Sequence, residues 1–586
     1  MPSPIRMTGA QMLWESLIRE GVEVVFGYPG GSIMPVYDAL LDYPQVRHVL
    51  TRHEQGAAHA ADAYARVQRE QRKVGVALAT SGPGATNLVT GIATAMMDSS
   101  PVVFITGQVS ADYLGSDAFQ ETDVTGVTLP ITKHNFLVTR AESIPQVVRA
   151  AFHIARTGRP GPVLIDLCKN AQNDEGEFRW PAEVRLPGYR PPERADPAAL
   201  AEATRLLTQA RRPVILAGQG VLMSGAMPEL QALAEKADIP VAMTLLGLGA
   251  LPLTHPLALG MMGMHGEYFV NMAIQHADLL IALGMRFDDR VTGKLEAYAP
   301  QARKIHVEVD PAEINKNVPV DVPLLGDLKA VLQQWLPQVP AARHADWRAQ
   351  IAAWRQDTAA RDVVERTRRN GRGALRGAEV IQRLWETTAG HDVIITTGVG
   401  QHQMWAAQYY RFPQPYRFVT SGGLGTMGFG LPAGVGAAVA YPDKEVWVIE
   451  GDGGFQMTQA ELATVVQEGL NVKIVLVNNN YLGMVRQWQE LFYDRRYAAV
   501  QLHNPDFVQL AAAYGIPARR VTARREVDDA LAFARAHSGP VLLEFRVAAE
   551  DNVFPMVTTS DPLHAMIRRP TEEPHLERAD WPGAAP

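Results

Sequence analysis

The chain has 586 residues, of which 47% are hydrophobic and 20% charged, and its formal net charge is -7. These proportions are those of a globular protein and exclude a disordered, fibrous or membrane-spanning chain. The negative charge argues against nucleic-acid binding, which usually needs a basic face. Because Cys168 is the only cysteine, a disulfide framework is excluded, and we expect a cytoplasmic protein with no nucleic-acid or membrane partner.

The first block of predicted elements covers residues 8–170. A helical pattern at residues 9–20 is followed by β-branched runs at 22–26, 74–79, 102–105 and 163–166, which we interpret as strands. Strands that alternate with helices indicate βαβ units in a parallel sheet. A proline-containing linker is expected at residues 171–196.

The same alternation returns in residues 197–336 and 378–550. Strands are predicted at 214–217, 239–243, 279–283 and 304–309, and then at 393–396, 446–450, 473–477 and 541–545. A partly helical linker, 337–377, separates these blocks, and a tail covers 551–586. The predicted fold class is α/β, with three open, largely parallel-sheet domains and flanking helices. The first and third domains are expected to be similar, because residues 80–84 and 450–454 both follow a strand and precede a helix.

The most informative stretch lies in the third block, where one predicted strand ends at Gly451-Asp452-Gly453-Gly454 and the next ends before Asn479. In a right-handed βαβ unit the carboxyl ends of both strands meet at one edge of the sheet. A carboxylate and a carboxamide there supply oxygen ligands for Mg²⁺. The glycines let backbone N–H groups approach a phosphate, so the pattern predicts a magnesium–diphosphate site. The alternative is a pair of ordinary βα turns.

This spacing resembles the signature of thiamine diphosphate enzymes. The resemblance implies metal ligation by Asp452, Asn479 and the backbone carbonyl of Tyr481. It also implies a glutamate in the first domain, and Glu54 matches it at the start of a helical pattern of small residues. Without the family, Glu54 is a helix-start carboxylate. With it, Glu54 is expected to bond the aminopyrimidine ring of the cofactor and to drive proton removal from the thiazolium carbon.

Further strings narrow the resemblance to the acetohydroxyacid synthase family over roughly residues 8–560. They lie at 27–31, 118–123, 132–136, 158–162, 263–266, 286–293, 399–405 and 421–432. The resemblance implies that pyruvate is decarboxylated and its two-carbon unit joined to pyruvate or 2-oxobutyrate. The products are 2-acetolactate or 2-aceto-2-hydroxybutyrate, for valine, leucine and isoleucine synthesis. The implied cofactors are thiamine diphosphate, Mg²⁺ and FAD, and the implied partners are a second or further copies, as a homodimer or homotetramer, and a separate regulatory subunit.

The same resemblance assigns individual residues, in four sets. Glu54, Gln120 and Gly31 are expected to be catalytic. Thiamine diphosphate is expected to contact Val399, Gly400, Gln401, His402, Gly425, Met427, Gly451, Gly453, Gly454 and Met484. FAD is expected to contact Arg159, Gly218, Gly220, His265, Gly284, Arg286 and Asp327. Substrate is expected at Arg290, Trp488 and Lys169, since a guanidinium suits a carboxylate and an indole suits an added methylene.

Several of these positions have simpler interpretations. Met427 is a core gap-filler, Gln120 a loop amide, Arg290 an ion-pair partner of Asp288 or Asp289, Trp488 a packing residue, and Lys169 an exposed lysine. A lone Gly-x-Gly such as Gly218 to Gly220 is a weak nucleotide signal. Cys168 stands where the family often has proline and is expected at the rim of the pocket.

Other functions remain open at this point. Glyoxylate carboligase has the same build but lacks the glutamate that Glu54 provides, and pyruvate oxidase is not expected to carry Arg290 and Trp488 together. A catalytically inactive thiamine-binding protein would not need Glu54, Asp452 and Asn479 intact. An NAD-dependent dehydrogenase leaves the Asp452 and Asn479 pair unexplained.

Overall fold

A computed structural model describes residues 5–362, 364 and 373–570. The end of the predicted tail, 571–586, and residues 363 and 365–372 of the predicted second linker lie outside the described residues. Within the described ranges the chain forms three six-stranded parallel sheets, each covered by helices, so the predicted α/β class is confirmed. No helix in these ranges has the length and apolar character needed to cross a membrane.

The first sheet has the strand order β3-β2-β4-β5-β7-β6. Its strands are β2 (Val24–Gly27), β3 (Arg47–Leu50), β4 (Gly75–Ala79), β5 (Val102–Gln108), β6 (His134–Val138) and β7 (Val163–Cys168), and a small antiparallel pair joins β1 (Arg6–Thr8) to β8 (Glu175–Glu177). The helices of this region are Gly9–Arg19, Met34–Ala39, Glu54–Val67, Pro83–Asn87, Val89–Met97, Val124–Thr128, Ile144–Arg156 and Lys169–Asn173. Both β4 and β5 are buried along their whole length, as a parallel sheet with helices on both faces requires.

The middle sheet has the order β11-β10-β9-β12-β13-β14. Its strands are β9 (Pro213–Ala217), β10 (Val241–Met243), β11 (Ala258–Met261), β12 (Leu279–Leu283), β13 (Arg303–Glu308) and β14 (Val322–Leu325). The accompanying helices are Pro197–Gln209, Gln219–Ser224, Met227–Ala237, Tyr268–Gln275, Asp289–Thr292, Leu328–Trp335 and Ala345–Ala360. The order, read along the chain, is that of dinucleotide-binding folds, with the switch point between β9 and β12.

The third sheet has the order β16-β15-β17-β18-β20-β19. Its strands are β15 (Val393–Thr397), β16 (Phe418–Thr420), β17 (Glu445–Gly451), β18 (Val472–Asn478), β19 (Ala518–Val521) and β20 (Val541–Arg546). Its helices are Gly377–Thr388, Gln401–Tyr409, Gly430–Ala440, Asp452–Thr458, Leu462–Gln467, Gly483–Phe492, Phe507–Ala513 and Val527–Ala536. The first and third sheets share one topology, which confirms the predicted similarity of the two domains.

The first and third domains pack through the helices Glu54–Val67 and Gly430–Ala440. A Cβ at Gly436 would lie 2.0 Å from the Ala60 carbonyl oxygen, so only glycine allows the two backbones to approach this closely. Arg66 crosses the same interface and donates to the Thr420 carbonyl over 2.8 Å. The two domains therefore share a buried seam.

The prediction that Cys168 lies at the rim of the pocket is wrong. Cys168 is the last residue of β7, and its side chain is fully buried in the apolar core of the first domain. The side chain follows the alternation of the strand, which directs it into the core.

Candidate active site

The ends of β17 and β18 bring Asp452 and Asn479 to one edge of the third sheet. The two strands are parallel, with Gly451 paired to Val477. Asp452 begins a helix immediately after β17, and Asn479 follows β18. Both side chains are buried. Topology alone therefore brings these two candidate ligands to adjacent strand ends.

Asn479 is held in one orientation by its neighbours. Its Nδ2 donates to Gln401 Oε1 over 3.2 Å, and its Oδ1 accepts from the Tyr481 backbone N–H over 3.0 Å. Gln401 in turn donates from Nε2 to Gln487 Oε1 over 3.0 Å. The start of the helix after β15 is thus tied to the turn after β18.

The donor set around Asp452 fits a hard divalent cation. Burial raises the pKa of Asp452 to about 7, so a bound cation would stabilise its charged form. Mg²⁺ accepts a carboxylate, an amide and a carbonyl oxygen together with phosphate oxygens. Among the described residues no group of three or more His, Cys, Asp or Glu side chains could hold a metal, so a nitrogen- or sulfur-rich site is not formed there.

Glycines shape the space beside this edge. Gly425 has φ +71°, a conformation that L side chains rarely adopt. A Cβ at Gly453 would lie 2.7 Å from Leu482 Cδ2 and 3.6 Å from Met427 Cε, and half-buried Met427 closes that side. A Cβ at Gly451 would lie 2.9 Å from His402 Nδ1. The backbone here is open to a close-fitting group such as a diphosphate.

His402 and Glu450 form a buried polar pair behind these glycines. Burial lowers the pKa of His402 to about 3 and raises that of Glu450 to about 8. His402 Nε2 and Glu450 Oε2 are 3.7 Å apart, and within the described residues neither atom has a hydrogen-bond partner. A Cβ at Gly454 would lie 2.8 Å from Glu450 Oε2, so glycine leaves room for this carboxyl group.

A single cavity of about 1340 Å³ joins the three domains. Its lining includes, from the predicted positions, Val399, Gly400, Gly425, Met484, Arg159, Gly220, His265, Gly284, Arg286, Asp327, Arg290 and Trp488. Pockets for small molecules usually measure about 300 to 1000 Å³, so this cavity is large enough for a dinucleotide beside a small substrate. Most residues predicted for FAD and part of those predicted for thiamine diphosphate share it.

The wall of the cavity where FAD is predicted is fixed by partly buried contacts. Arg159 donates to Ser99 and pairs with Glu313 over 2.8 Å, which joins the first and middle domains. A Cβ at Gly218 would lie 2.2 Å from the Gly284 carbonyl oxygen, so this glycine supports the wall from behind. His265 Nδ1 lies 3.1 Å from the Pro555 carbonyl oxygen, and burial lowers the pKa of His265 to about 4.

Arg290 and Trp488 face the same cavity from different domains. Arg290 pairs with Asp289 over 3.2 Å, but their side chains are 60% and 64% exposed, so solvent screens the pair and it contributes little. Trp488 is half-buried, with its ring 5.1 Å from that of Phe492. The Arg290 guanidinium therefore forms an ion pair with Asp289, as in the simpler interpretation, and also reaches the cavity.

Glu54 and Gln120 both lie beside the segment that follows β4 in the first domain. Glu54 is buried, and its Oε2 accepts from Asn87 Nδ2 over 2.9 Å. A Cβ at Gly84 would lie 3.1 Å from Glu54 Oε1, and one at Gly82 would lie 3.0 Å from Gln120 Cβ. Gly82 precedes the short helix Pro83–Asn87 after β4 and Gly84 lies in it, so this segment links both side chains. Gly31 is exposed in open space after β2.

This first-domain group is separate from the cavity. Within the described residues the cavity lining includes none of Glu54, Gln120, Gly31 and Lys169, and Lys169 is an exposed residue at the start of a helix. Asp452 and Asn479 do not line the cavity either, but Asn479 bonds to Gln401, which directly follows the lining residue Gly400. The predicted site residues thus fall into two half-sites: a first-domain half-site around Glu54, and a third-domain half-site of Asp452, Asn479 and the adjoining cavity.

Comparison with known proteins identifies the family. Residues 7–127, 200–335 and 398–545 match the N-terminal TPP binding domain, the central domain and the C-terminal TPP binding domain of thiamine pyrophosphate enzymes. The chain is 49% identical to the acetolactate synthase large subunit of Mycobacterium tuberculosis over 578 residues, which is 96% of this chain and 92% of that protein. It is 46% identical to the probable acetolactate synthase large subunit of Methanocaldococcus jannaschii, over 98% of each chain. The chain belongs to the acetolactate synthase family of thiamine pyrophosphate enzymes.

The family membership confirms the resemblance inferred from the sequence. It also confirms a thiamine-dependent carboligase, because three thiamine pyrophosphate enzyme domains and acetolactate synthases match along nearly the whole chain. The roles of individual residues stay predictions.

Two polar residues at the third-domain half-site were not predicted. Gln487 is fully buried next to Trp488 and contacts Gln401, and Asn504 contacts Asp452. The sequence signal for Gln487 is its place beside Trp488 in an amphipathic helix. Nothing local marks Asn504, because the sequence after it indicates only a helix start at Asp506.

Proposed function

We propose that this chain decarboxylates pyruvate and joins its two-carbon unit to a second 2-keto acid, either pyruvate or 2-oxobutyrate. The observation that carries the substrate assignment is that Arg290 and Trp488 face one cavity together with Met484 and Val399. A guanidinium binds the carboxylate of a keto acid, and the indole packs against its alkyl group. The products are then 2-acetolactate or 2-aceto-2-hydroxybutyrate, precursors of branched-chain amino acids.

Thiamine diphosphate, when bound, supplies the electron sink for loss of CO₂ from a 2-keto acid. Asp452, Asn479 and the Tyr481 carbonyl would hold Mg²⁺ against its diphosphate, which the buried carboxylate and its amide neighbour support. Glu54 would hold a proton at Oε1 beside the aminopyrimidine ring, since Asn87 already occupies Oε2. Gln120 and Gly31 would stabilise negative charge that develops on the substrate.

FAD is proposed for the middle-domain wall of the cavity. The residues that would hold it are Arg159, Gly218, Gly220, His265, Gly284, Arg286 and Asp327. Support comes from the cavity volume, from the strand order of the middle sheet and from the guanidinium groups, which suit phosphate oxygens. This flavin would be structural, because the proposed carboligation has no net oxidation or reduction.

We infer that a second copy of the chain completes the site, because the two half-sites are separate within one chain. Glu54, Gln120, Gly31 and Lys169 of one copy would face Asp452 and the cavity of the other. A homodimer or homotetramer in the cytoplasm is therefore proposed. A separate regulatory subunit is proposed because the relatives are described as large subunits.

Mixing two inactive variants tests the shared site. Glu54→Gln and Asp452→Asn are each expected to be inactive alone. In a mixed dimer one site carries both changes and the other carries neither, so random reassociation of equal amounts should restore about a quarter of the wild-type sites. A mixture that stays inactive after exchange of subunits, shown with differently tagged chains, would indicate that each site is built within one chain.

The activity itself is tested with pyruvate, thiamine diphosphate, Mg²⁺ and FAD. Acetolactate is measured by its conversion to acetoin, with and without 2-oxobutyrate as competitor. Glu54→Gln is expected to remove turnover, and Glu23→Gln, an exposed glutamate of the same domain, is the matched control. Folded wild-type protein that makes no acetolactate would refute the proposed function.

A further inference from the structure

Asn504 makes four hydrogen bonds at the third-domain half-site. Its Nδ2 donates to Asp452 Oδ2 over 2.7 Å and reaches Asn480 Oδ1 and Asn478 Oδ1 at 2.9 and 3.1 Å. Its Oδ1 accepts from Gln456 Nε2 over 2.9 Å. Both ends of one amide are therefore engaged, and they join the residues that follow β17 to those that end β18.

Backbone hydrogen bonds of the preceding residues place Asn504 in this position. Residues 500–502 run antiparallel to the turn after β18, where Leu482 N–H donates to the Val500 carbonyl and Leu502 N–H to the Asn480 carbonyl, both over 2.8 Å. Asn478 is itself fixed, because its Nδ2 donates to Glu544 Oε1 over 2.8 Å. Asn504 therefore binds to a preformed turn on one side and to the Asp452 carboxylate on the other.

We propose that Asn504 is a positioning residue for the magnesium site. With Asn504 bonded to Oδ2 of Asp452, Oδ1 would be the oxygen available to the metal, and the carboxylate would be kept from turning to offer both oxygens. The inference rests on the proposed function, which places Mg²⁺ at Asp452. In this proposal Asn504, and not a direct metal ligand, restricts Asp452 to binding the metal through one oxygen.

The size and geometry of the cation explain why this choice matters. Mg²⁺ is small and demands a near-octahedral shell, whereas Ca²⁺ is larger and readily takes both oxygens of a carboxylate. Residues that orient metal ligands typically contribute about 10- to 100-fold to affinity. Without Asn504, Mg²⁺ affinity should fall in that range, and Ca²⁺ affinity should fall much less, because the freed Oδ2 becomes a second ligand.

Calorimetric titration of Mg²⁺ and of Ca²⁺ into the full-length protein with thiamine diphosphate tests the proposal. The variants are Asn504→Ala and Asn504→Ser, and His503→Ala, an exposed neighbour, is the matched control. Both Asn504 variants should lose about 10- to 100-fold in Mg²⁺ affinity, with the Ca²⁺ to Mg²⁺ affinity ratio shifted toward Ca²⁺. A general loss of stability would lower both affinities together and leave the ratio unchanged.

The outcomes separate this inference from the function on which it rests. Wild-type protein that binds no Mg²⁺ would overturn the proposed metal site, and the positioning role with it. Wild-type protein that binds Mg²⁺, with Asn504 variants that match it in affinity and ratio, would overturn the positioning role alone. If neither variant folds, as judged by circular dichroism, Asn504 is a structural residue and the proposal is also overturned.

Discussion

Replacing Arg66 by methionine tests the buried charges at the seam between the first and third domains. Arg66 donates from Nε and Nη2 to the two oxygens of Asp62, each over 2.7 Å, and from Nη2 to Asp98 Oδ2 over 2.9 Å. The Arg66 side chain is only 7% exposed, and both carboxylates are fully buried. Asp98 also accepts from the N–H groups of Gly422 and Gly423, which line the cavity.

The expected loss of stability is large because two buried carboxylates lose their cation. Removing one partner of a buried ion pair costs about 3 to 5 kcal/mol. Globular proteins have a free energy of unfolding of about 5 to 15 kcal/mol, so Arg66→Met should lose a substantial part of it. Replacing Asp62 as well, in Arg66→Met/Asp62→Leu, should recover part of the loss, since apolar residues can replace a buried pair at little cost.

Arg47→Met is the matched control, because Arg47 also joins the first domain to the third but does so at the surface. It pairs with Glu468 over 2.7 Å and is 44% exposed, so its loss should be about 0 to 1 kcal/mol. Urea unfolding followed by circular dichroism measures all three variants. Equal losses for Arg66→Met and Arg47→Met would refute the reasoning that burial makes the seam charges interdependent.

Two further predictions concern pH and selectivity. Burial lowers the pKa of His59 to about 3, so between pH 3 and 6.5 the unfolded chain binds more protons and stability falls as pH falls. At pH 5 the cost is about 2 kcal/mol, and His59→Gln should lose about that much less than wild type between pH 7.5 and 5 in urea titrations; equal losses would contradict this. Trp488→Ala should reduce the preference for 2-oxobutyrate by about 1 to 3 kcal/mol, measured as the product ratio from mixed keto acids. An unchanged ratio would remove Trp488 from the substrate site.

The strands that the sequence did not reveal are the edge strands of the three sheets. Central strands such as β4, β12 and β18 were predicted because they are buried on both faces and form continuous apolar runs. The edge strands β6 and β19 consist of exposed and half-buried residues with one buried valine at the end of each, and β19 carries two arginines, so neither forms a buried apolar run. The central strands of the parallel sheets were thus predictable from the sequence, but their edge strands were not.

The proximity of Asp452 and Asn479 was predictable and the residues around them were not, for a related reason. Asp452 and Asn479 follow strands whose pairing is imposed by the topology, so their proximity follows from the order of elements. The helix after β17 starts at Asp452 itself. Asn504 lies 52 residues after Asp452 in the sequence. Its contact with Asp452 depends on side-chain geometry that no local sequence pattern predicts.

The separation of the half-sites follows from the shared topology of the first and third domains. Each sheet presents loops at the carboxyl ends of its strands, and in one chain the two domains meet instead through the helices Glu54–Val67 and Gly430–Ala440. Close backbone contact at Gly436 fixes that seam, so the two strand edges cannot rotate freely toward each other. Under the proposed function, Glu54 at one edge and the proposed metal ligands at the other would act together only if a second copy brings its own edge across, so association would be a condition of the chemistry.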